Sequence, residues 1–235
     1  MPVFLLSNEL TFPQPHLATP EGLLAVGGDL GQERLLLAYQ NGIFPWYSEG
    51  EPILWWSPDP RLVLYPAEVH ISRRLNRIIR QKSFKITFDQ AFESVISACA
   101  RVRMQNGEGT WIVDEIIRAY CRLHMTGFAH SVEAWQNNQL AGGLYGISLG
   151  RTFFGESMFT RVSNASSVAF VTLVKYLRSM SFKLIDCQVT TAHLMRFGAR
   201  EINREHFLAE LYRSLDKSTL KGRWCLPEGF SINTD

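Results

Sequence analysis

Two acids in apolar, strand-like runs are the residues best placed to do chemistry. Glu156 stands inside "FFGESMF" (153–159) and Asp186 inside "KLIDCQV" (183–189), two residues before Gln188. An unpaired carboxylate in an apolar interior costs several kcal/mol, a sizeable share of a domain's net stability. Each acid therefore has a buried cationic partner or faces a site, and the sequence leaves both readings open. At a site, such an acid can accept a proton from a nucleophile or hold a cationic group by charge. The strand period of two sets Thr152, Phe154, Glu156 and Met158 on one face. It sets Leu184, Asp186 and Gln188 on one face of the second run.

A second signal is charge. No acid falls between Glu68 and Asp89, whereas Arg73, Arg74, Arg77, Arg80, Lys82 and Lys85 all do. Arg73, Arg77 and Arg80 recur at helical spacing, opposite an apolar stripe of Ile71, Leu75, Ile78 and Ile79. A solvated helix face usually mixes signs, and a face of one sign suits contact with a phosphate backbone. The formal net charge of +2 is too small to argue for nucleic acid alone. Trp46, Trp55, Trp56 and Trp111 lie in or beside Gly/Pro-rich loops. Most tryptophans are packing, but one or two of these are expected to stack bases, worth about 1–3 kcal/mol each.

Other chemistries lack their motifs. "GGDLG" and "GGLYG" fit neither a phosphate loop nor a dinucleotide fingerprint, and there is no G-x-S-x-G or H-E-x-x-H. The scattered histidines and the cysteines at 99, 121, 187 and 225 suggest no metal site and no disulfide framework. They read as reduced thiols of a cytoplasmic protein. No apolar run reaches the roughly 20 residues that span a bilayer, and no secretory signal opens the chain.

The elements that must hold these residues divide into two parts. Residues 1–62 are rich in proline and aromatic residues, which predicts short, irregular strands and one helix at 32–41 closed by Gly42. They are expected to form a small N-terminal domain, with 63–235 as the second. There the pattern predicts a helix at 70–81, a strand at 84–88, a helix at 90–102, a polar loop at 103–110 and a helix at 113–127. Three strands joined by short hairpins follow at 130–136, 140–149 and 151–159. A helix with Asn164 as N-cap, the strand at 183–189, a short helix, a strand at 199–202 and a helix at 204–215 complete the order. The expected class is α+β, a mixed sheet with helices on both faces.

In order and spacing, "EGLLAVGGDL", "AYQNGIFPWYS", "ILWWSPDPR", "HISR", "GTWI", "HSVEAW", "GGLYG", "FFGESMF" and "LIDCQV" closely resemble the leucyl/phenylalanyl-tRNA–protein transferases, over residues 5–215. The resemblance implies a small N-terminal domain and a C-terminal domain with the fold of the Gcn5-related N-acetyltransferases, its mixed sheet mostly antiparallel. It implies transfer of leucine or phenylalanine, and less well methionine, from charged tRNA to the N-terminal Arg or Lys of a protein. The product is a degradation signal of the bacterial N-end rule pathway. No metal, cofactor or membrane is implied. By the same resemblance, Trp46 and Trp111 clamp the terminal adenine. Tyr39, Tyr120, Leu144, Phe153, Glu156, Met158 and Ile185 surround the aminoacyl group. Asp186 and Gln188 act in the transfer step, and the basic residues at 73–85 are expected to hold tRNA. Leu144 departs from the family's frequent methionine, a volume-conserving change.

In the mechanism this implies, Asp186 attracts the incoming ammonium, and it or a relay through Gln188 accepts the proton. Alternatively, Asp186 is purely electrostatic and the leaving 3′-oxygen takes the proton. Two rival classes fit the residues less well. An acyl-CoA acetyltransferase needs a Gly-containing pyrophosphate loop where this chain reads "RVSNAS". A non-catalytic RNA-binding module gains nothing from acids on apolar strands.

Overall fold

The computed structural model describes residues 3–105 and 110–230. The proline-rich opening forms β1 (Phe4–Leu6), β2 (Leu23–Gly27), helix α1 (Gln32–Gln40), β3 (Phe44–Pro45) and β4 (Leu54–Trp56). These strands make a small sheet in the order β1-β2-β4-β3. Gly42 follows α1 in the left-handed region, at φ 69°. A Cβ there would also meet Leu208 and Phe207 at 2.7 and 2.8 Å, so glycine is required twice over.

The second sheet begins at β5 (Arg61–Leu64), and then come α2 (Arg73–Arg80), β6 (Lys85–Phe88), α3 (Phe92–Gln105) and α4 (Asp114–Met125). The antiparallel meander is β7 (Ala129–Gln136), β8 (Gln139–Leu149) and β9 (Thr152–Thr160). The chain continues through α5 (Ala165–Ser179), β10 (Leu184–Gln188), α6 (Ala192–Met195), β11 (Arg200–Ile202) and α7 (Arg204–Leu215). The sheet order is β11-β5-β10-β9-β8-β7-β6, and among these neighbours β9 and β10 alone run parallel. The class is thus α+β with a mixed, mostly antiparallel sheet. The β7–β8 turn is made by Asn137 and Asn138, both at positive φ, the conformation that matches a two-residue hairpin to strand twist. The expected polar loop begins only after α3 reaches Gln105, and its residues 106–109 lie outside those described.

Two apolar cores cover the two faces of this sheet. The first joins α1, α3, α4 and α7 to the small sheet through Tyr39, Trp55, Ile96, Tyr120, Tyr145 and Phe154. The second joins α2 and α5 to the other face through Leu75, Leu144, Phe153, Phe170, Leu173 and Ile185. In α2, Ser72 caps the start by accepting the Leu75 N–H at 3.3 Å. Leu75 is buried, and Ile71, Ile78 and Ile79 pack beside it on the second core.

Two expectations are corrected. Asn164 does not cap α5 through its side chain; it sits in the left-handed region at φ 70° and bonds Ser163 instead. Trp55 is no loop residue. It is fully buried in β4, with its indole N–H donating to the Gly27 carbonyl at 2.8 Å. A buried tryptophan needs such a partner for its one polar atom. Among the described residues, no helix is long and apolar enough to cross a membrane.

Candidate active site

The parallel pairing of β9 and β10 ends at Phe154–Asp186, although both strands run on. Just beyond, each strand carries a bulge. On β9, Gly155 pairs with Gly146 and Ser157 with Tyr145, so Glu156 is the extra residue. On β10, Asp186 pairs with Val63 and Gln188 with Leu62, so Cys187 is the extra one. A bulge bends its strand and sharpens the local twist. Two side by side part the strands and open the sheet between them.

The β9 bulge also corrects the simple alternation of faces. Phe154 stays in the first core, but Met158 crosses to the second and joins Phe153 there. Five residues apart, those two would face opposite ways in a regular strand. Gly146 makes room for the change, since a Cβ on it would lie 2.6 Å from the Phe153 ring.

A cavity of about 660 Å³ occupies the opening. One end lies on the second core and is mainly aliphatic, with Leu144, Met158, Leu173 and Ile185 beside the rings of Phe153 and Phe170. Two of these contacts are built by pairing, because Leu144 lies opposite Met158 and Phe153 opposite Ile185. The other end is aromatic, lined by Phe44, Trp46, Trp111, Tyr145 and Phe159. Trp46 is 42% exposed and Trp111 half-buried.

Glu156 lines the cavity where the two ends meet. Its carboxylate has no cationic partner among the described residues and is held instead by neutral donors. Tyr39 of α1 donates to Oε1 at 2.8 Å, Gln188 Nε2 donates to the same oxygen at 2.8 Å, and Tyr120 of α4 donates to Oε2 at 3.2 Å. The two tyrosine hydroxyls also meet each other. Burial pushes the Glu156 pKa up to about 7, against the lowering effect of the tyrosine and Gln188 hydrogen bonds. Burial, and then the charge of Glu156, hold both phenols well above their ordinary pKa, so they remain donors.

Asp186 is the acid with the buried ion pair. Arg61 of β5 binds it in a fork, Nε to Oδ1 at 2.8 Å and Nη2 to Oδ2 at 2.6 Å. The guanidinium lies between the rings of Phe44 and Phe207, at 4.9 and 4.6 Å. Asp186 Oδ1 also accepts the Gln188 N–H at 2.9 Å. Asp186 is fully buried and is not among the residues that line the cavity. What it holds is Gln188. That residue adopts φ 62°, a conformation that costs a non-glycine residue energy, and the bond to Asp186 fixes it with its side-chain amide on Glu156. Arg61 escaped the sequence reading. Its only signal is a cation leading the apolar run "RLVLY", with no nearby acid to answer it beyond Asp59.

The basic residues lie elsewhere. Arg73, Arg74, Arg77, Arg80, Lys82 and Lys85 are all exposed, and none forms an ion pair among the described residues. Arg73, Arg77 and Arg80 border a shallow recess with Asn76 and Gln81.

A cavity with an aliphatic end, an aromatic end and an acid at the waist suits a ligand made of an apolar side chain, a base and a charged amine between them. Comparisons with known proteins agree. The profile described as "Leucyl/phenylalanyl-tRNA protein transferase" matches residues 63–212, and that of its N-terminal domain matches 28–59. A leucyl/phenylalanyl-tRNA–protein transferase of Desulfatibacillum aliphaticivorans is 61% identical over 226 residues, covering 96% of this chain and 97% of that protein. One from Anaeromyxobacter sp. (strain Fw109-5) is 59% identical over 229 residues, covering 97% of each. Among solved structures, L-PGS from Bacillus licheniformis overlays at a TM-score of 0.38 with 9% identity, over 72% of this chain and 54% of that one, too distant to bear on the site. This chain belongs to the leucyl/phenylalanyl-tRNA–protein transferase family, enzymes that transfer an aminoacyl group from tRNA to a protein.

Proposed function

We propose that the chain takes leucine or phenylalanine, and methionine less well, from its tRNA and joins it to the N-terminal Arg or Lys of a protein. The peptide bond so formed marks that protein for degradation by the N-end rule pathway, in the cytoplasm where charged tRNA is found. The fold is read as that of the Gcn5-related N-acetyltransferases, preceded by a small domain expected over residues 1–62, although Arg61 and Leu62 already belong to β5 of the larger sheet. The observation that carries the reading is Glu156, a buried acid with neutral partners, between an aliphatic and an aromatic end of one cavity.

In this reading the donor's side chain fills the aliphatic end, where Leu144, Phe153, Met158 and Ile185 line the wall. Its terminal adenine lies between Trp46 and Trp111, and the ester comes to the waist. The acceptor's α-amine attacks the ester carbonyl. The C–N bond forms, the C–O3′ bond breaks, and the proton leaves the amine. Glu156, with its pKa near 7, is matched to take that proton from an amine of ordinary pKa about 8 and return it to the 3′-oxygen. Gln188 orients Glu156, and Asp186 positions Gln188 and does not itself accept the proton. The deciding assay is transfer of radiolabelled leucine from leucyl-tRNA to an Arg-initiated peptide. Absence of transfer would refute the reading.

The aromatic end gives a separate expectation. Loss of one base stack costs about 1–3 kcal/mol. Puromycin, an aminoacylated adenosine analogue, should inhibit the unaltered enzyme and lose most of its potency on Trp111→Ala. Equal inhibition of both would make Trp111 a packing residue.

The exposed basic face is read as the cradle of the tRNA backbone. Replacing Arg73, Arg77 and Arg80 together with Ala should weaken tRNA binding and flatten its salt dependence by about two to three units of slope. A minimal aminoacyl-adenosine donor should be used as before. Equal loss with both donors would show that these residues serve the fold.

A further inference from the structure

The β9 bulge sets a second polar group beside Glu156. Ser157 follows Glu156 and pairs across the sheet with Tyr145, a residue of the first core. Ser157 lines the cavity and is 9% exposed, and its hydroxyl is buried with no hydrogen-bond partner among the described residues. A buried hydroxyl left unsatisfied costs about 1–3 kcal/mol, so one that persists at a cavity wall is matched to something that enters the cavity. Of the cavity's two ends, Ser157 belongs to the aromatic one: its strand partner is Tyr145, and Met158 is the neighbour that turns to the aliphatic side.

We infer that Ser157 Oγ binds the 2′-hydroxyl of the donor's terminal ribose. The inference rests on the donor reading above. In that reading the base occupies the aromatic end and the aminoacyl side chain the aliphatic end. The sugar that joins them must cross the waist beside Glu156, and the group vicinal to the ester is the 2′-hydroxyl. A serine hydroxyl both donates and accepts, as a ribose hydroxyl does, so each satisfies the other. An aliphatic or carbonyl-only neighbour would leave half of that capacity unused. The 2′-hydroxyl is also the group by which an RNA end differs from a DNA end.

The test uses two inert ligands, 3′-phenylalanylamido-3′-deoxyadenosine and its 2′-deoxy counterpart, with affinities measured by calorimetry. The unaltered enzyme should bind the 2′-hydroxyl ligand about tenfold more tightly, the size of one good hydrogen bond. Ser157→Ala should bind both ligands alike, at the affinity the unaltered enzyme shows for the 2′-deoxy ligand, and Ser157→Cys should do the same. The melting temperature of Ser157→Ala should stay level or rise, because an orphan hydroxyl is removed. Discrimination that persists in Ser157→Ala overturns the inference, as does an unaltered enzyme that never discriminated. An equal fall in affinity for both ligands also overturns it, since that marks a packing role. If the unaltered enzyme binds neither ligand, the donor reading itself fails, an outcome distinct from the others.

Discussion

Replacing Asp186 with alanine is expected to destabilise the protein by about 3–5 kcal/mol, the typical result of leaving a buried charge without its partner. The charge left behind is Arg61, fully buried between the Phe44 and Phe207 rings, with its Nη1 already lacking a partner among the described residues. Denaturant midpoints should show the loss directly. Transfer should also fall in whatever still folds, because the bond that holds Gln188 at its unfavourable φ is gone. The double replacement Arg61→Met with Asp186→Leu separates the two effects. Apolar residues of similar volume commonly restore the stability of a buried pair. Regained stability with transfer still impaired is the expected result. A doubly substituted protein that is stable and fully active would show that Asp186 has no part in the reaction.

The second large effect is expected at Glu156. Glu156→Gln keeps the shape and removes the charge, and transfer should fall at least about tenfold, at the low end of what a positioned base contributes. Stability should respond in the opposite sense. The folded-state pKa of Glu156 is raised to about 7 by burial, from an ordinary value of 4.5. The folded state therefore holds its proton over a range where the unfolded chain has lost it. That contribution to stability is fully present below pH 4.5 and is lost as pH rises through about 7. Glutamine stays neutral throughout, so the variant should be as stable as the parent at low pH and more stable above neutrality. The rate profile gives a further check. With both Glu156 and the acceptor amine needing to lose a proton, the logarithm of the rate should climb about twice as steeply on the acid side as in Glu156→Gln. Identical pH profiles in the two proteins would remove Glu156 from the proton transfer.

Much of the fold was legible because its signals are local. The α2 stripe of Ile71, Leu75, Ile78 and Ile79 repeats at helical spacing and packs as read. The meander of β7, β8 and β9 is marked by alternation and by Asn137–Asn138 at the turn. Glu156 and Asp186 were conspicuous as acids in apolar strands. Telling them apart was beyond the sequence. The Arg that one of them needed lies 125 residues away in β5, and strand pairing, not spacing, brings it there. The bulge at Glu156 was equally hidden, since it depends on Gly146 of the neighbouring strand as much as on β9 itself. Trp55 misled for a similar reason: proline-rich surroundings suggest a loop, but pairing with β2 and the Gly27 carbonyl bury it.

The seam between β9 and β10 works as a caliper. Its jaws are the bulged segments at Glu156 and Gln188, joined by one hydrogen bond, and its pivot is the short paired stretch from Thr152–Leu184 to Phe154–Asp186. The span between the jaws is thus set in part by Thr152, Phe154 and Leu184, none of which lines the cavity. A slightly larger side chain in that stretch, deep in either core, would be read out at the far end as a change in which amino acid the enzyme can grip. Selection on substrate fit therefore reaches into positions that look like ordinary packing, and two relatives with identical cavity walls can still differ in what they carry.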